Sequence, residues 1–377
     1  MSEKITVNKS ILIYMRKSLN LSVNEVAKKM NKSKELINNW ESGEDCPTYI
    51  QLEQLAKIYR RPIAVFFMPK LPAIIEPKAD FRMLPDEFTD DLPSSIILMY
   101  RKAKLMQLNL IDIFKDSNIK NCLGEFEDLN LSDVTLLSIK LREILKVSFE
   151  DQISWKNSNN AFNQWRSKLE ENGIFVFRDA FKQDNYYGFC LYDSTYPVIY
   201  INNTSTKTRQ IFTLFHELAH LIFKVSGIDI EDDYLDYYES SYKNIEILCN
   251  KFAGEFLFPD DLFLAENLKF SEENVTLLSS KYSISREFVL RKYLNFKMIS
   301  HEIYNHYTQE WIKQFRNKKS KGGDYYLTKK AYLGENYISL VFKNYYQGKY
   351  NIDKVSEYLN IKTSQIPKFE SMLFGGI

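Results

Sequence analysis

The segment Thr206–Lys224 constrains the fold of this chain more than any other part of the sequence. Apolar residues fall on almost every side of a helix drawn through it, namely Ile211, Phe212, Leu214, Phe215, Leu218, Ala219 and Ile222. A helix that is apolar all round has to be buried among other elements of a domain. Two histidines and a glutamate stand in its middle, in the string His216-Glu217-Leu218-Ala219-His220. Because an ionised glutamate in buried surroundings is costly without a partner or a task, the string indicates a functional site.

The spacing of His216 and His220 is typical of a metal site on a helix. Residues four apart lie on one face about one turn apart, so both imidazoles can reach a single zinc ion. Glu217 lies one residue round the helix, where it can take a proton from water and later deliver it to a leaving amine. The alternative is that these side chains serve only packing or solvation. The metal site is favoured because the whole chain has only four histidines, and two of them fall in this pattern.

A zinc site that keeps one position for water needs three protein ligands, so a third residue is required. Glu246 is the candidate, since it stands 26 residues after His220 at the head of a second apolar helix, Ile245–Phe258. The alternative for Glu246 is an exposed acid in the first helical turn, which the helix dipole favours. Asn250 lies on the same face and could hydrogen-bond the outer nitrogen of a ligand histidine, although asparagine is also common on plain helix surfaces.

Strand patterns cluster just before the metal-site helix. The segments Gly173–Asp179, Gly188–Asp193 and Pro197–Asn202 are short, rich in β-branched and aromatic residues, and bounded by turn residues. They predict a small three-stranded sheet. The remainder has mostly helical periodicity, including a helical C-terminal tail. The predicted fold class is therefore α+β and mostly helical.

The N-terminal part has a different helical pattern. Short amphipathic segments at Leu21–Met30, Ser33–Glu41 and Tyr49–Tyr59 predict three helices, and Ser22 with Glu25 predicts a capping box. The segment resembles the helix-turn-helix domain of phage-repressor-like regulators of the Cro type. The matching residues are Leu21-Ser22, Val26-Ala27, Trp40-Glu41-x-Gly43, Pro47, Leu52, Leu55-Ala56 and Pro62. This resemblance implies a five-helix-type domain that binds double-stranded DNA through residues 1–70.

The register of that resemblance places the second of these helices in the major groove of DNA. Lys34, Glu35 and Asn39 would then face base edges, and Ser33 and Lys32 could hold phosphates. Residues 1–70 carry 12 Lys and Arg against 7 Asp and Glu, which agrees with a polyanion at this end of the chain. The alternative is a helical module used only for protein docking or dimerisation, so a homodimer stays open.

The motif around the histidines resembles the ImmA/IrrE family of bacterial metallopeptidases. The resemblance rests on a lead-in, Arg209-x-x-Phe212-Thr213, on the HELAH string, and on E-x-x-C-N-x-F-A-x-x-F-L-F-P from Glu246 onward. The chain departs from the family pattern at three buried-type positions, Cys249, Phe256 and Phe258. These departures keep the apolar character, so the ligand assignment is unaffected.

This resemblance implies a zincin-like peptidase domain with one zinc ion per chain. It implies zinc on His216, His220 and Glu246, with Glu217 as general base. It also implies a protein substrate, namely a transcriptional repressor or antitoxin-like regulator that is cleaved in a stress or mobile-element response.

Two further interpretations accompany the resemblance. In enzymes of this chemistry an edge strand beside the active-site helix typically holds the substrate backbone, and Val198, Ile199 and Tyr200 are the candidates. The alternative function is that of a non-catalytic regulator or antitoxin, which binds DNA or a partner through the helix-turn-helix and has a structural or vestigial zinc site.

The predicted organisation has four parts. These are a helix-turn-helix domain at 1–70, a proline-bearing linker at 71–94, a metallopeptidase domain at 95–265 and a helical extension at 266–377. Within the extension, the tail at Lys321–Tyr326 and Tyr332–Gly334 resembles that of long family members. The acidic segment Asp229–Glu239 is either a lid that attracts basic substrates or a plain solvated loop.

The composition of the chain indicates in which cellular compartment the protein is found. No apolar run approaches the ~18–20 residues that span a bilayer, and the N-terminus has no signal-peptide core. The four cysteines lie far apart without a CxxC pair, so neither a cysteine zinc site nor a disulfide framework is indicated. We therefore expect a cytoplasmic protein with no membrane partner.

Overall fold

The computed structural model describes residues 3–70, 92–115, 120–230, 240–316 and 323–375 of the chain. Most of the predicted linker, residues 231–239 of the acidic segment, and Lys321 with Gly322 lie outside the described residues. The chain divides into two compact units, Met1–Lys102 and Ala103–Ile377. Within the described ranges, no helix has both the length and the apolar character of a membrane span.

Short helices packed around one apolar centre build the first unit. They are α1 (Lys9–Lys17), α2 (Val23–Met30), α3 (Lys34–Ser42) and α4 (Tyr49–Tyr59), followed by a 3-10 helix, Ile63–Phe67. The helices predicted from the sequence are α2, α3 and α4, and the capping box of Ser22 and Glu25 is present. Val26, Trp40 and Leu52 are among the buried side chains that hold these helices together. The predicted helix-turn-helix region is thus confirmed. The next helix, α5 (Ser94–Ile113), contains the boundary between the units.

An ion pair that the sequence pattern did not reveal ties α1 to the end of α3. Arg16 Nε lies 2.7 Å from one carboxylate oxygen of Glu41, and Arg16 Nη2 lies 2.8 Å from the other. Arg16 Nη1 also donates to the carbonyl oxygen of Leu21 at 2.9 Å, just before α2 begins. The hydrogen bond to Glu41 raises the pKa of Arg16. Glu41 therefore supports the helix packing of this unit.

Replacing Glu41 with glutamine is expected to destabilise the first unit by about 2–3 kcal/mol, because it leaves a partly buried guanidinium without its carboxylate. The two side chains are only 13% and 10% exposed. Hydrogen–deuterium exchange of peptides from α1 and α3 measures the effect, with peptides of the second unit as an internal reference. Glu44→Gln is the matched control, since Glu44 is exposed. Equal protection in both variants would show that the pair does not stabilise the unit.

A small sheet lies in the second unit. Its strands are β1 (Phe175–Asp179), β2 (Tyr186–Leu191), β3 (Val198–Asn202) and β4 (Ile228–Ile230). The order across the sheet is β1-β3-β2-β4, with β1 parallel to β3 and the other neighbours antiparallel. The three predicted strands are all present. The short strand β4 adds to them, and three residues are too few to produce a recognisable alternation in sequence.

Helices cover the sheet and form the rest of this unit. Those before and between the metal-site residues are α6 (Val134–Leu145), α7 (Phe149–Ser154), α8 (Ser158–Glu171), α9 (Lys207–Ile222) and α10 (Ser240–Leu257). The later ones are α11 (Asp260–Ala265), α12 (Glu272–Tyr282), α13 (Arg286–Asn295), α14 (His301–Arg316), α15 (Tyr325–Leu333), α16 (Glu335–Tyr346), α17 (Ile352–Leu359) and α18 (Ile366–Phe374). The α+β, mostly helical class and the helical tail are confirmed.

Aromatic rings hold α8, α9 and α10 against one another. The Trp165 ring of α8 meets Phe215 of α9 edge-on, with centroids 5.0 Å apart. Phe215 in turn lies 4.2 Å from Phe256 of α10, and Trp165 lies 5.2 Å from Phe256. All three side chains are fully buried. Each such ring pair stabilises a core by about 0.5–1.5 kcal/mol beyond burial alone, so this cluster fixes the helices that carry the site.

Candidate metal centre

Helix α9 presents the two histidines and the glutamate inside the core. Its start is capped by Thr206, whose hydroxyl oxygen accepts the Arg209 N–H at 3.2 Å. His216 is 1% exposed, and Glu217 and His220 are 0% exposed. The apolar pattern predicted this burial, because the residues around the motif pack against the sheet and α10.

Three ligand-type side chains form a tight triangle between α9 and α10. His216 Nε2 lies 3.1 Å from His220 Nε2, and each of these nitrogens lies 3.1 Å from a carboxylate oxygen of Glu246. Glu246 is 5% exposed. The structure thus brings together the three residues that the sequence nominated as ligands, from two helices that run in opposite directions.

This triangle has the dimensions of a metal site. A tetrahedral ion with bonds of about 2.0–2.1 Å separates its ligand atoms by about 3.3 Å. Among the described residues, His216, His220 and Glu246 are the group whose ligand atoms could hold a metal ion. Two imidazole nitrogens and one carboxylate are a donor set that suits zinc and leaves a position open.

The charge of Glu246 fits a ligand role. Burial alone would raise the pKa of its carboxyl, but His220 and His216 lower that pKa well below its usual range. The carboxylate is therefore ionised at neutral pH, as metal binding requires.

Asn250 orients one of the histidines. Its Oδ1 lies 3.0 Å from His216 Nδ1. Because the amide oxygen can only accept, Nδ1 carries the proton and Nε2 turns its lone pair toward the triangle. Position 250 thus contacts the outer nitrogen of the histidine, on the side away from the triangle.

Cys190 of β2 contacts the glutamate of the motif, and sequence reasoning missed it. Burial and the neighbouring Glu217 carboxylate raise the pKa of the Cys190 thiol well above its ordinary value, so the thiol stays protonated. It donates to the carbonyl oxygen of Val225, with Sγ and the oxygen 3.7 Å apart. The Gly227 N–H donates to Cys190 Sγ at 3.4 Å. No spacing in the sequence indicated this contact, since it depends on how β2 crosses α9.

Gly227, at the entrance to β4, presses directly on His220. A Cβ at this position would lie 2.7 Å from Cδ2 and Cγ of the His220 ring. Such distances are too short for carbon atoms, so only glycine leaves the ring in place. Gly227 therefore belongs to the wall of the metal centre.

Substitution of Gly227 by alanine is expected to displace the His220 ring and weaken zinc binding by about 10-fold or more. Competition with a chromogenic chelator measures the dissociation constant. Gly124→Ala is the matched control, because a Cβ at Gly124 meets no atom within 4 Å. Zinc affinity that is the same in both variants would contradict the steric role of Gly227.

The prediction that Val198, Ile199 and Tyr200 form an edge strand is wrong. They belong to β3, which pairs with β1 on one side and β2 on the other, so its backbone groups are used within the sheet. All three side chains are at most 4% exposed. Among the described residues, β4 pairs only with β2 and starts beside His220, so it is the better candidate for a substrate-binding edge.

The residues nominated for DNA contact lie at the start of α3 and along it. Ser33 caps the helix by accepting the Leu36 N–H at 3.2 Å, and hydrogen bonds from the Glu35 backbone N–H and Ser33 hold the pKa of Glu35 below its ordinary value. Ser33, Lys34 and Glu35 are exposed and Asn39 is half-buried. The hydroxyl oxygen of Ser33 thus serves the helix cap.

Comparison with known families bears on both units. Residues 169–293 match a family model described as an IrrE N-terminal-like domain. That match runs from the end of α8 through the sheet, α9 and α10 into α13, so it includes every residue of the candidate centre. Residues 12–66 match a helix-turn-helix family model. No curated protein matches the chain. The chain therefore carries a helix-turn-helix domain and, after it, the IrrE N-terminal-like domain of a peptidase family.

Proposed function

We propose that this chain is a zinc-dependent peptidase of the cytoplasm, fused to a helix-turn-helix domain, that cleaves a transcriptional repressor or antitoxin-like regulator in a stress or mobile-element response. One observation carries the proposal: the 3.1 Å triangle of His216, His220 and Glu246 stands in the core beside Glu217. A buried triangle of this kind has no evident use in packing, since apolar residues would fill the space at lower cost.

His216, His220 and Glu246 would hold the zinc ion, and zinc supplies Lewis acidity and a lowered pKa for water. Asn250 keeps His216 in the tautomer that offers Nε2 to the ion. Gly227 allows the His220 ring to occupy its place. The chain thus positions both histidine ligands before any ion arrives.

Glu217 is the proton carrier of the proposed reaction. It follows His216 directly and lies beside the protonated Cys190 thiol. In this role its carboxylate accepts a proton from the attacking water and then donates it to the nitrogen of the leaving amine.

A cavity of about 530 Å³ is lined by residues of α9, α10 and α13 and reaches Asn250, the residue that contacts the outer nitrogen of His216. Asn250 lies in its wall, together with Arg209 and Phe212 of α9 and Phe288 of α13. The wall holds charged side chains of both signs beside two phenylalanines, which suits a polypeptide with mixed side chains. We assign this cavity to the substrate residues on one side of the scissile bond.

The helix-turn-helix domain supplies the link to gene control. Double-stranded DNA is its proposed partner, with α3 in the major groove and Ser33, Lys34, Glu35 and Asn39 at the contact. A homodimer would let two such helices read two half-sites. In this scheme the domain brings the peptidase to the operator on which its substrate sits.

Intact-mass analysis tests the proposal. The purified full-length chain, with zinc content measured, is mixed with each repressor-like protein encoded beside its gene. We expect one discrete cleavage in one of these proteins, loss of cleavage with a chelator, and recovery when zinc is added back. Stoichiometric zinc without cleavage of any such protein would instead support the non-catalytic regulator.

A further inference from the structure

Two cationic side chains meet at one buried aromatic ring in the second unit. The guanidinium carbon of Arg178, on β1, lies 4.8 Å from the centroid of the Phe162 ring. Lys207 Nζ lies 5.1 Å from the same centroid. Phe162 is fully buried and Arg178 is only 8% exposed. Two like charges in such a place are unfavourable unless an anion accompanies them.

Within the described residues, neither cation has an acidic partner. No carboxylate among the described residues pairs with Arg178 or Lys207, and Arg178 Nε is buried without a hydrogen-bond acceptor there. Lys207 Nζ donates to the neutral amide oxygen of Gln210 at 3.0 Å. Burial, with Arg178 and Arg166 nearby, lowers the pKa of Lys207 to about 7. A bound anion would raise this pKa again and hold Lys207 in its charged form.

The buried acidic residue beside them, Glu170, already forms an ion pair with another residue. Glu170 pairs with Arg166, whose Nε lies 2.8 Å from its carboxylate. Arg166 also donates to the carbonyl oxygens of Ala331 and Tyr332 at the end of α15, at 2.9 and 3.3 Å. Arg166 is thus satisfied by its own partners and leaves the charges of Arg178 and Lys207 uncompensated.

The position of these cations in the fold suits an anion. Parallel strands β1 and β3 end side by side, with Asp179 opposite Asn202, and α9 begins at Lys207 shortly after β3. Thr206 caps the Arg209 N–H, but the N–H groups of Lys207 and Thr208 have no acceptor in the described part of the chain. Open amides at the start of a 16-residue helix carry partial positive charge.

We propose that Arg178, Lys207 and the first turn of α9 form a binding site for a phosphate group, carried by inorganic phosphate or by a small phosphorylated molecule. A guanidinium can bind two oxygens of a phosphate at once, and an ammonium and two backbone amides complete the set of donors. A phosphate dianion matches the two uncompensated charges. The site is distinct from the metal centre but lies on the same helix, so its occupancy stabilises the element that carries the motif.

Thermal unfolding and titration calorimetry of the full-length protein test this site. Inorganic phosphate and adenosine monophosphate are the two probes, each compared with sodium chloride at equal ionic strength. We expect a saturable rise in the unfolding temperature and a dissociation constant below about 10 mM for phosphate. Tighter binding of adenosine monophosphate would identify a phosphorylated molecule as the ligand, and equal or weaker binding would identify free phosphate.

Variants separate this site from other anion binding. Lys207→Gln and Arg178→Gln should each weaken phosphate binding by at least about 10-fold. Lys224→Gln, which removes one charge beyond the other end of α9, should bind as the natural chain does. Glu246→Gln should also keep phosphate binding, which excludes the metal centre as its location. Absence of saturable binding, or equal affinity in Lys207→Gln and Lys224→Gln, would overturn the proposal. Lys207 is half-exposed, so this variant is informative even if Arg178→Gln fails to fold.

Discussion

The Glu217→Gln variant is expected to lose peptide-bond cleavage by a factor of about 10²–10⁴ while keeping its zinc content. Glutamine fills the same volume but accepts no proton, so water is no longer deprotonated and the leaving amine is no longer protonated. The ligand triangle does not include Glu217, so metal binding should be unchanged. Single-turnover cleavage followed by intact mass, with metal analysis of the same sample, measures both quantities.

Glu127→Gln is the control for this variant. Glu127 is exposed and pairs with Lys224 at 2.8 Å, just past the end of α9, so its loss should leave cleavage unaffected. Full activity in Glu217→Gln would remove the proposed proton carrier and, with it, the peptidase mechanism. Loss of zinc in Glu217→Gln would mean that the glutamate acts on the ligands and not on water.

Glu246→Gln is expected to weaken zinc binding by more than about 100-fold, beyond the 10–100-fold that changes outside the ligand set cost. The variant removes the negative charge from a donor set that is otherwise two neutral imidazoles. Asn250→Ala provides a graded comparison, since it removes only the 3.0 Å contact to His216 Nδ1, and we expect it to cost about 10-fold.

Chelator competition measures both constants, and the rise of unfolding temperature with zinc gives an independent value. If Glu246→Gln and Asn250→Ala lose the same affinity, Glu246 is not a ligand. If neither changes affinity, the ion binds elsewhere in the chain.

The elements of the site could be predicted from sequence because their cause is local. An apolar pattern all round α9 dictates burial, and the four-residue interval between its histidines dictates a common face. Glu246 could be nominated only by its place at the head of the predicted helix Ile245–Phe258, and α10 in fact begins earlier, at Ser240. That it reaches both histidines depends on the opposed packing of α9 and α10, which the rings of Phe215 and Phe256 secure.

The features that could not be predicted from the sequence depend on contacts between residues that are far apart in the chain. β3 follows β2 in the chain, yet β1 lies on its other side, so the order of strands turned a predicted edge into the interior of the sheet. Cys190 and Gly227 reach the motif through that same order, and neither has a distinctive neighbour in sequence. In the first unit the Arg16–Glu41 pair joins residues 25 apart, a separation that no periodicity marks.

The rings of Trp165, Phe215 and Phe256 join α8, α9 and α10 by apolar packing. The packing of these helices therefore does not depend on a bound metal ion. Small zinc modules whose ligands are the main cross-link unravel when starved of metal. Here loss of zinc would abolish the proposed activity but leave the domain folded, so that activity would return when zinc is added. The zinc concentration available to the protein would then control the proposed proteolysis reversibly, without new synthesis or refolding.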